Sequence, residues 1–426
     1  MAAESKAPSS KASSALTSPG YLVPFITVTA LFFIFGFITT LNMALVPHLR
    51  SIFNLSYAWA MLAESAFFIA YFLFSSTSSK LIEWIGYKWT MVVSLFVQVV
   101  GCVMFIPAAK MVNFPLFLAA VFVVGAGVTA LQVSANPYVA ILGPEHSAPV
   151  RLTLAQAFNS IGATLAPLVA GAYILANPDK LMSKAEIAAT VRGPYLLIAA
   201  GLLVLGLAVA FTRLPHITHS GGRVAGEEER VLAKRSIWSY RHTVLGTLGI
   251  FLYVGVEVGL ASIAVNYFNQ QGMSSLKSAS FLVSLYWGGA MVGRLLGSWT
   301  LTKMKAGRLV AIFACSGAAL LFVSMFTSGQ VAIWTMVLCG FFNSIQFPNV
   351  FALGIAGLGS MTSRGSGLIM SACVGGAVVP WLLGALADKV GIQYSFVLPA
   401  ACYLYIAWYA MWGSKPAAGE PVEAGS

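Results

Sequence analysis

Apolar segments of about 20 residues recur from one end of this chain to the other, and that recurrence restricts it to a fold whose helices cross roughly 30 Å of hydrocarbon. Twelve can be placed in the 426 residues, at 21–50, 57–82, 87–108, 113–142, 149–175, 193–212, 242–268, 275–302, 307–327, 330–357, 363–386 and 391–413. With 58% hydrophobic and 9% charged residues, ordinary soluble composition is excluded. The net charge of +11 does not indicate nucleic acid, because the basic residues are scattered through short connections instead of forming one surface. The expectation is an all-α membrane protein whose standing partner is the lipid bilayer.

Charge sets the orientation. With the N-terminus inside, the inner connections and tails hold sixteen Lys and Arg and the outer connections seven; Arg294, within span 8, completes the 24. This bias places both termini in the cytoplasm, and the membrane expected is a bacterial plasma (inner) membrane. Residues 1–20 read as a disordered cytoplasmic tail, 21–212 as a six-helix bundle, 213–241 as a cytoplasmic linker rich in Gly, Glu and basic residues, 242–413 as a second six-helix bundle and 414–426 as a short tail.

The two halves repeat. PYVAILG at 137–143 returns as PNVFALG at 348–354, an offset of 211 residues, and Arg151, Gly162 and Pro167 meet Arg364, Gly375 and Pro380 at 213. Two pseudo-symmetric halves of six helices in the same orientation are the arrangement of the major facilitator fold.

Polar residues inside spans are then the functional candidates, because an amide or charge in hydrocarbon is costly unless it faces a partner or water. The segment 131–162 carries four amides: Gln132 and Asn136 share one helix face, Gln156 and Asn159 a face of the next. The repeat sets Asn343 against Gln132, with Gln346 one turn on. Amides donate and accept without charge, which suits a neutral polyhydroxylated ligand; interhelical hydrogen bonding is their alternative role. Trp287, with Tyr286, Tyr253 and Phe347, offers apolar platforms for a sugar ring. Of thirteen acids only Glu64 and Glu257 fall within spans, which makes them the candidates for ion coupling. Arg294, about eight residues from the inner end of span 8 and set among Gly289, Gly293 and Gly297, reads as a gate or a headgroup anchor. The five cysteines all lie in apolar segments and read as packing residues; no Cys/His spacing suggests a metal and no cofactor is expected.

Taken together, GFITTLNMALVPHLR in span 1, ANPYVAILGPE and RLTLAQAFNSIGA at spans 4 and 5, and NSIQFPNVFALGI in span 10 resemble the fucose:proton symporter family of the major facilitator superfamily. LQVSANPYVAILG and YVGVEVGLAS are most similar to its glucose/galactose permease branch. The resemblance implies uptake of a monosaccharide by alternating access, usually with protons and in some members with sodium, by a monomer. It implies sugar contacts at Asn42, Gln156 and Asn159. Two positions depart from the family pattern: Met43 stands where an Asp is usual, and Gln132 where the fucose branch has an acid. Glu64, at the same estimated depth on span 2 as Met43 on span 1, is a candidate to take over coupling.

The reading that follows is import of a neutral monosaccharide by cation symport, with Asn42, Gln132, Asn136, Gln156, Asn159, Trp287, Asn343 and Gln346 around the ligand. An uncoupled facilitator and a non-transporting sensor are the alternatives. An enzyme is not expected, because the spans contain no nucleophile–base set and no HExxH.

Overall fold

In a computed structural model of the protein the described backbone covers residues 21–53, 57–173, 191–215, 236–272 and 276–415, and the described side chains 21–41, 53, 65–166, 191–215, 236–272 and 281–415. Every described element is helical. Span 1 is Leu22–Phe53; spans 2 and 3 form one run, Tyr57–Met111, interrupted at Gly86; span 4 is Phe114–Ile141, span 5 Ala148–Tyr173 and span 6 Arg192–Phe211. Span 7 is Arg241–Gln270, span 8 Leu276–Thr300 and span 9 Ala306–Phe326. Span 10 joins Gly329–Asn343 to Gln346–Ile355, span 11 joins Thr362–Ser371 to Gly375–Val390, and span 12 runs through Val397–Trp408 to a π turn, Tyr409–Gly413. The expected tails fall mainly outside the described residues, as does the linker between 216 and 235.

Local chemistry accounts for the breaks. Gly86 has φ of 79°, a conformation that favours glycine, so spans 2 and 3 separate there. Span 10 reads as continuous in the sequence but is interrupted at Ser344 and Ile345. Pro348 has no N–H to offer the carbonyl four residues back, and its ring crowds that carbonyl. The freed Ser344 carbonyl accepts Arg294 Nε at 3.1 Å. Pro137, its counterpart in span 4, similarly leaves the Val133 carbonyl to accept Ser366 Oγ at 2.8 Å. Two side chains help to close the gap in span 10: Gln346 Nε2 donates to Phe342 O at 2.9 Å and Asn349 Nδ2 to Ile345 O at 2.6 Å.

Close crossings position the spans around the centre. Span 5 lies along span 1 and span 11 along span 7. A methyl group at Gly162 would run into the Phe33 carbonyl, and one at Gly375 into the Phe251 carbonyl. These are repeat-related positions, and in both the missing side chain lets two backbones touch.

The end that carries the connections between spans 2–3, 4–5, 8–9 and 10–11 is termed the base. There the two halves of the sequence are tied together. Arg364 Nε donates to Glu83 Oε1 at 2.6 Å, the Gly357 amide to Glu145 Oε1 at 3.1 Å, and Asn349 Nδ2 to Thr153 Oγ1 at 3.2 Å. Arg151, fully buried, gathers carbonyls at and just beyond the end of span 4: Nε meets Val139 O at 2.9 Å, and Nη2 meets Gly143 O and Pro144 O at 3.1 Å each. Its charge sits at the negative end of that helix, where the orphan carbonyls need donors. Four cysteines are buried as expected, but Cys315 is exposed.

The crossing of spans 7 and 11 gives a direct test. Gly375→Val should lower the detergent-solubilised protein's stability by about 1–3 kcal/mol, the usual penalty for overpacking. Gly384→Val, where nothing lies within 4 Å of the added group, should be near neutral. Thermal midpoints from fluorescence-detected size exclusion separate the two, and equal midpoints would contradict the crossing.

Candidate functional site

Between the spans lies a cavity of about 580 Å³. Spans 1, 2, 4 and 5 supply one wall and spans 7, 8, 10 and 11 the other. It rises past Val265, five residues from the far end of span 7, and past Val283 on span 8. Most of the lining is apolar, with Phe35, Phe67, Phe68, Val254, Trp287 and Phe347 prominent.

The polar groups gather near the floor. Span 5 presents Gln156, Asn159 and Ser160 on successive positions of one face. Asn159 Nδ2 lies 3.3 Å from Phe32 O, where the Gly36 crossing brings span 1 close. The Gln156 amide lines the cavity and has no protein partner among the described residues. Opposite it, Glu257 on span 7 accepts a hydrogen bond from Tyr253 Oη at 2.7 Å and lies 3.7 Å from Arg294 Nη2. On the wall formed by span 4, Gln132 Nε2 donates to Tyr71 Oη of span 2.

This placement divides the sequence candidates. Gln132, Gln156, Asn159, Trp287, Glu257 and Arg294 line one cavity. Asn42, Met43 and Glu64 lie outside the described side chains. The other three amides do not reach the cavity wall. Asn136 is fully buried beside Gln132, with Nδ2 3.4 Å from Gln132 Oε1 and 3.8 Å from Met370 Sδ. Asn343 is bonded to Tyr286 Oη at 2.5 Å and by Tyr403 Oη at 2.7 Å. Gln346 bridges the break in its own helix. Of the expected aromatic platforms, Trp287 and Phe347 face the cavity, whereas Tyr286 and Tyr253 are buried with hydroxyls bonded to Asn343 and Glu257.

Of the two roles expected for Arg294, gate or headgroup anchor, the anchor does not hold. Instead of extending to the headgroup region, the side chain is buried and turned inward, with its guanidinium shared among Ser344 O, Ser160 Oγ at 2.5 Å, Gln156 O at 3.4 Å and Glu257. A buried carboxylate and a freed carbonyl hold it more strongly than snorkelling would. Sequence reading missed Tyr71 and Ser160. Tyr71 sits in the aromatic-rich apolar run FFIAYFLF, where pattern cannot single it out; only its offset of 215 from Tyr286, another tyrosine bonded to an amide, marks it.

Twelve helices enclosing a polar-floored central cavity, closed at the base by contacts between the sequence halves, define a polytopic membrane transporter. The match to the model of the Major Facilitator Superfamily over residues 27–373 gives the family: the chain belongs to that superfamily. Among curated relatives, a glucose/galactose transporter of Brucella abortus is 45% identical over 391 residues, covering 91% of this chain and 93% of that one. The L-fucose-proton symporter of Escherichia coli K12 is 32% identical over 421 residues, covering 94% and 95%. Among solved structures, FucP, a major facilitator transporter in the outward conformation, superposes with a TM-score of 0.83 at 31% identity, covering 93% of this chain and 99% of that one.

The division of the amides can be measured. Asn343→Leu strips partners from two buried tyrosine hydroxyls and should lower stability by about 1–3 kcal/mol for each group left unsatisfied. Gln156→Leu removes an amide without a described protein partner and should leave the thermal midpoint within a degree or so, on the usual scale for neutral substitutions. A larger loss for Gln156→Leu than for Asn343→Leu would reverse the assignment.

Proposed function

We propose that this transporter imports a neutral monosaccharide of the glucose, galactose or fucose type together with a cation, by alternating access. The observation that carries the reading is the Gln156 amide, without a partner among the described residues, facing the cavity beside Asn159 and across from Trp287. A hydrogen-bonding edge opposite an aromatic face in an otherwise apolar space matches a sugar, which presents hydroxyls on its rim and C–H groups on its faces. Glu257 and Arg294 are the charged described residues of the lining, and their charges offset one another.

The described state is closed at the base. With the base on the cytoplasmic side, as the charge bias of the connections argues, the cavity faces outward and is ready to load. Sugar bound by Gln156, Asn159, Gln132 and Asn42 would bring the walls together above it, and rocking of the two halves would open the base. Glu257 and Glu64 are the span carboxyls to which a coupling proton can be assigned. Relatives named for glucose and galactose and for L-fucose with protons support both the substrate class and the coupling.

The test is uptake of labelled glucose, galactose, fucose and N-acetylglucosamine into proteoliposomes, with and without an imposed proton or sodium gradient. Accumulation above the external concentration that collapses with the proton gradient is the expected result; equilibration alone would make the protein a facilitator, and binding without uptake a sensor. Gln156→Ala should weaken the apparent affinity for the preferred sugar about tenfold, the worth of roughly one good hydrogen bond. Unchanged affinity would remove Gln156 from the binding site.

A further inference from the structure

Above its floor the cavity has two unlike walls. From Glu257 upward, span 7 lines it with Val258 and Val265; from Arg294 upward, span 8 lines it with Ala290, Trp287 and Val283. On each helix these positions recur at spacings of three, four or seven residues and so share one face. They form an apolar stripe that rises about 12 Å on span 7 and about 16 Å on span 8, at 1.5 Å per residue. Ser284 is the one hydroxyl that the two spans add above the charged pair among the described residues. Spans 1 and 5 present Thr39, Thr40 and Thr164 instead.

A free hexose does not use the upper part of this stripe. In the proposed reading one ring lies against Trp287, and Gln156, Asn159 and Ser160 meet its hydroxyls low in the cavity. Higher up, at Val265 and Val283, an apolar group on the ligand gains by leaving water, whereas a hydroxyl turned to that wall loses water without finding a partner. The volume of about 580 Å³ falls in the range that encloses a drug-sized molecule. A ligand that satisfies both the floor and the stripe is polar at one end and apolar at the other.

We infer that the cavity in this state binds hexosides with an apolar aglycone, aryl glycosides first among them, more tightly than the free sugar. The hexose sits on the floor by Gln156 and Asn159, and the aglycone lies up the stripe against Val265 and Val283. The inference rests on the sugar reading above and adds to it a class of ligand that is held but not carried. Import needs the walls to meet above the sugar, and an aglycone on the stripe fills the space into which they would close. Span 5 then selects the sugar, and spans 7 and 8 select by what the sugar is attached to.

The test uses the full chain in proteoliposomes prepared with a detergent that contains no sugar, since a maltoside would compete for the site. Phenyl α- and β-glycosides of glucose, galactose and fucose, and lactose as a disaccharide, are added as competitors of labelled sugar uptake, and tritiated phenyl glycosides are followed directly. One phenyl glycoside should compete about tenfold better than its free sugar, the worth of burying about 60 Å² of apolar surface, and its label should bind without accumulating. Val265→Ser combined with Val283→Ser should abolish that advantage and leave the KM for the free sugar unchanged. Sugar uptake with no advantage for any phenyl glycoside, an advantage that survives in the double variant, lactose competing better than the phenyl glycosides, or accumulation of the glycoside would each overturn the inference and leave the sugar reading standing. Glycoside binding without uptake of any sugar would support the inference and remove the import reading; neither binding nor uptake would overturn both.

Discussion

The constraint on which this structure depends is that a backbone carbonyl in hydrocarbon must find a donor. Two of the prolines inside helices create exceptions that another helix answers. Pro137 and Pro348 occupy equivalent places in spans 4 and 10, and each leaves a carbonyl four residues earlier without its helical N–H. Those carbonyls are met from other helices, by Ser366 and by Arg294. A helix defect thereby becomes a point of contact: one joins span 4 to span 11 across the halves, the other fixes the arginine at the cavity floor.

The same constraint sorts the amides. An amide near a broken helix or a buried tyrosine is taken up by the protein itself, as Gln346 is by Phe342 and Asn343 by Tyr286 and Tyr403. Gln132 and Asn343 occupy matching positions in the repeat, and each is bonded to a tyrosine of the neighbouring helix, Tyr71 or Tyr286. Only the first of these pairs lies on the cavity wall. The repeat holds in the bonding but not in exposure to the cavity.

Much of the architecture was legible because hydrocarbon permits so few solutions. Apolar length gave the spans, and a repeated P-x-V-x-x-L-G gave the pairing of the halves, which the glycine crossings at 162 and 375 repeat in three dimensions. Four of the eight expected ligand contacts, Gln132, Gln156, Asn159 and Trp287, line the cavity. The misplacements share one cause. Spacing tells which residues share a helix face, but not whether that face meets a cavity, a tyrosine or a broken turn. The choice between gate and headgroup anchor for Arg294 stayed open for the same reason, since distance from a helix end permits snorkelling but does not reveal a competing carboxylate.

The charge balance at the floor argues for what the cavity can hold. A carboxylate or phosphate on the ligand would have to displace Glu257 from Arg294 or add a second negative charge beside it, and like charges brought together in a poorly solvated space repel strongly. A cationic ligand meets the converse obstacle in Arg294. A neutral ligand leaves the pair intact and needs only donors and acceptors without charge, which Gln156 and Asn159 supply. In the proposed reading, keeping the substrate neutral also leaves Glu257 as the described cavity carboxyl whose charge a proton can change, so that ligand recognition and ion coupling would draw on different groups in one shared space.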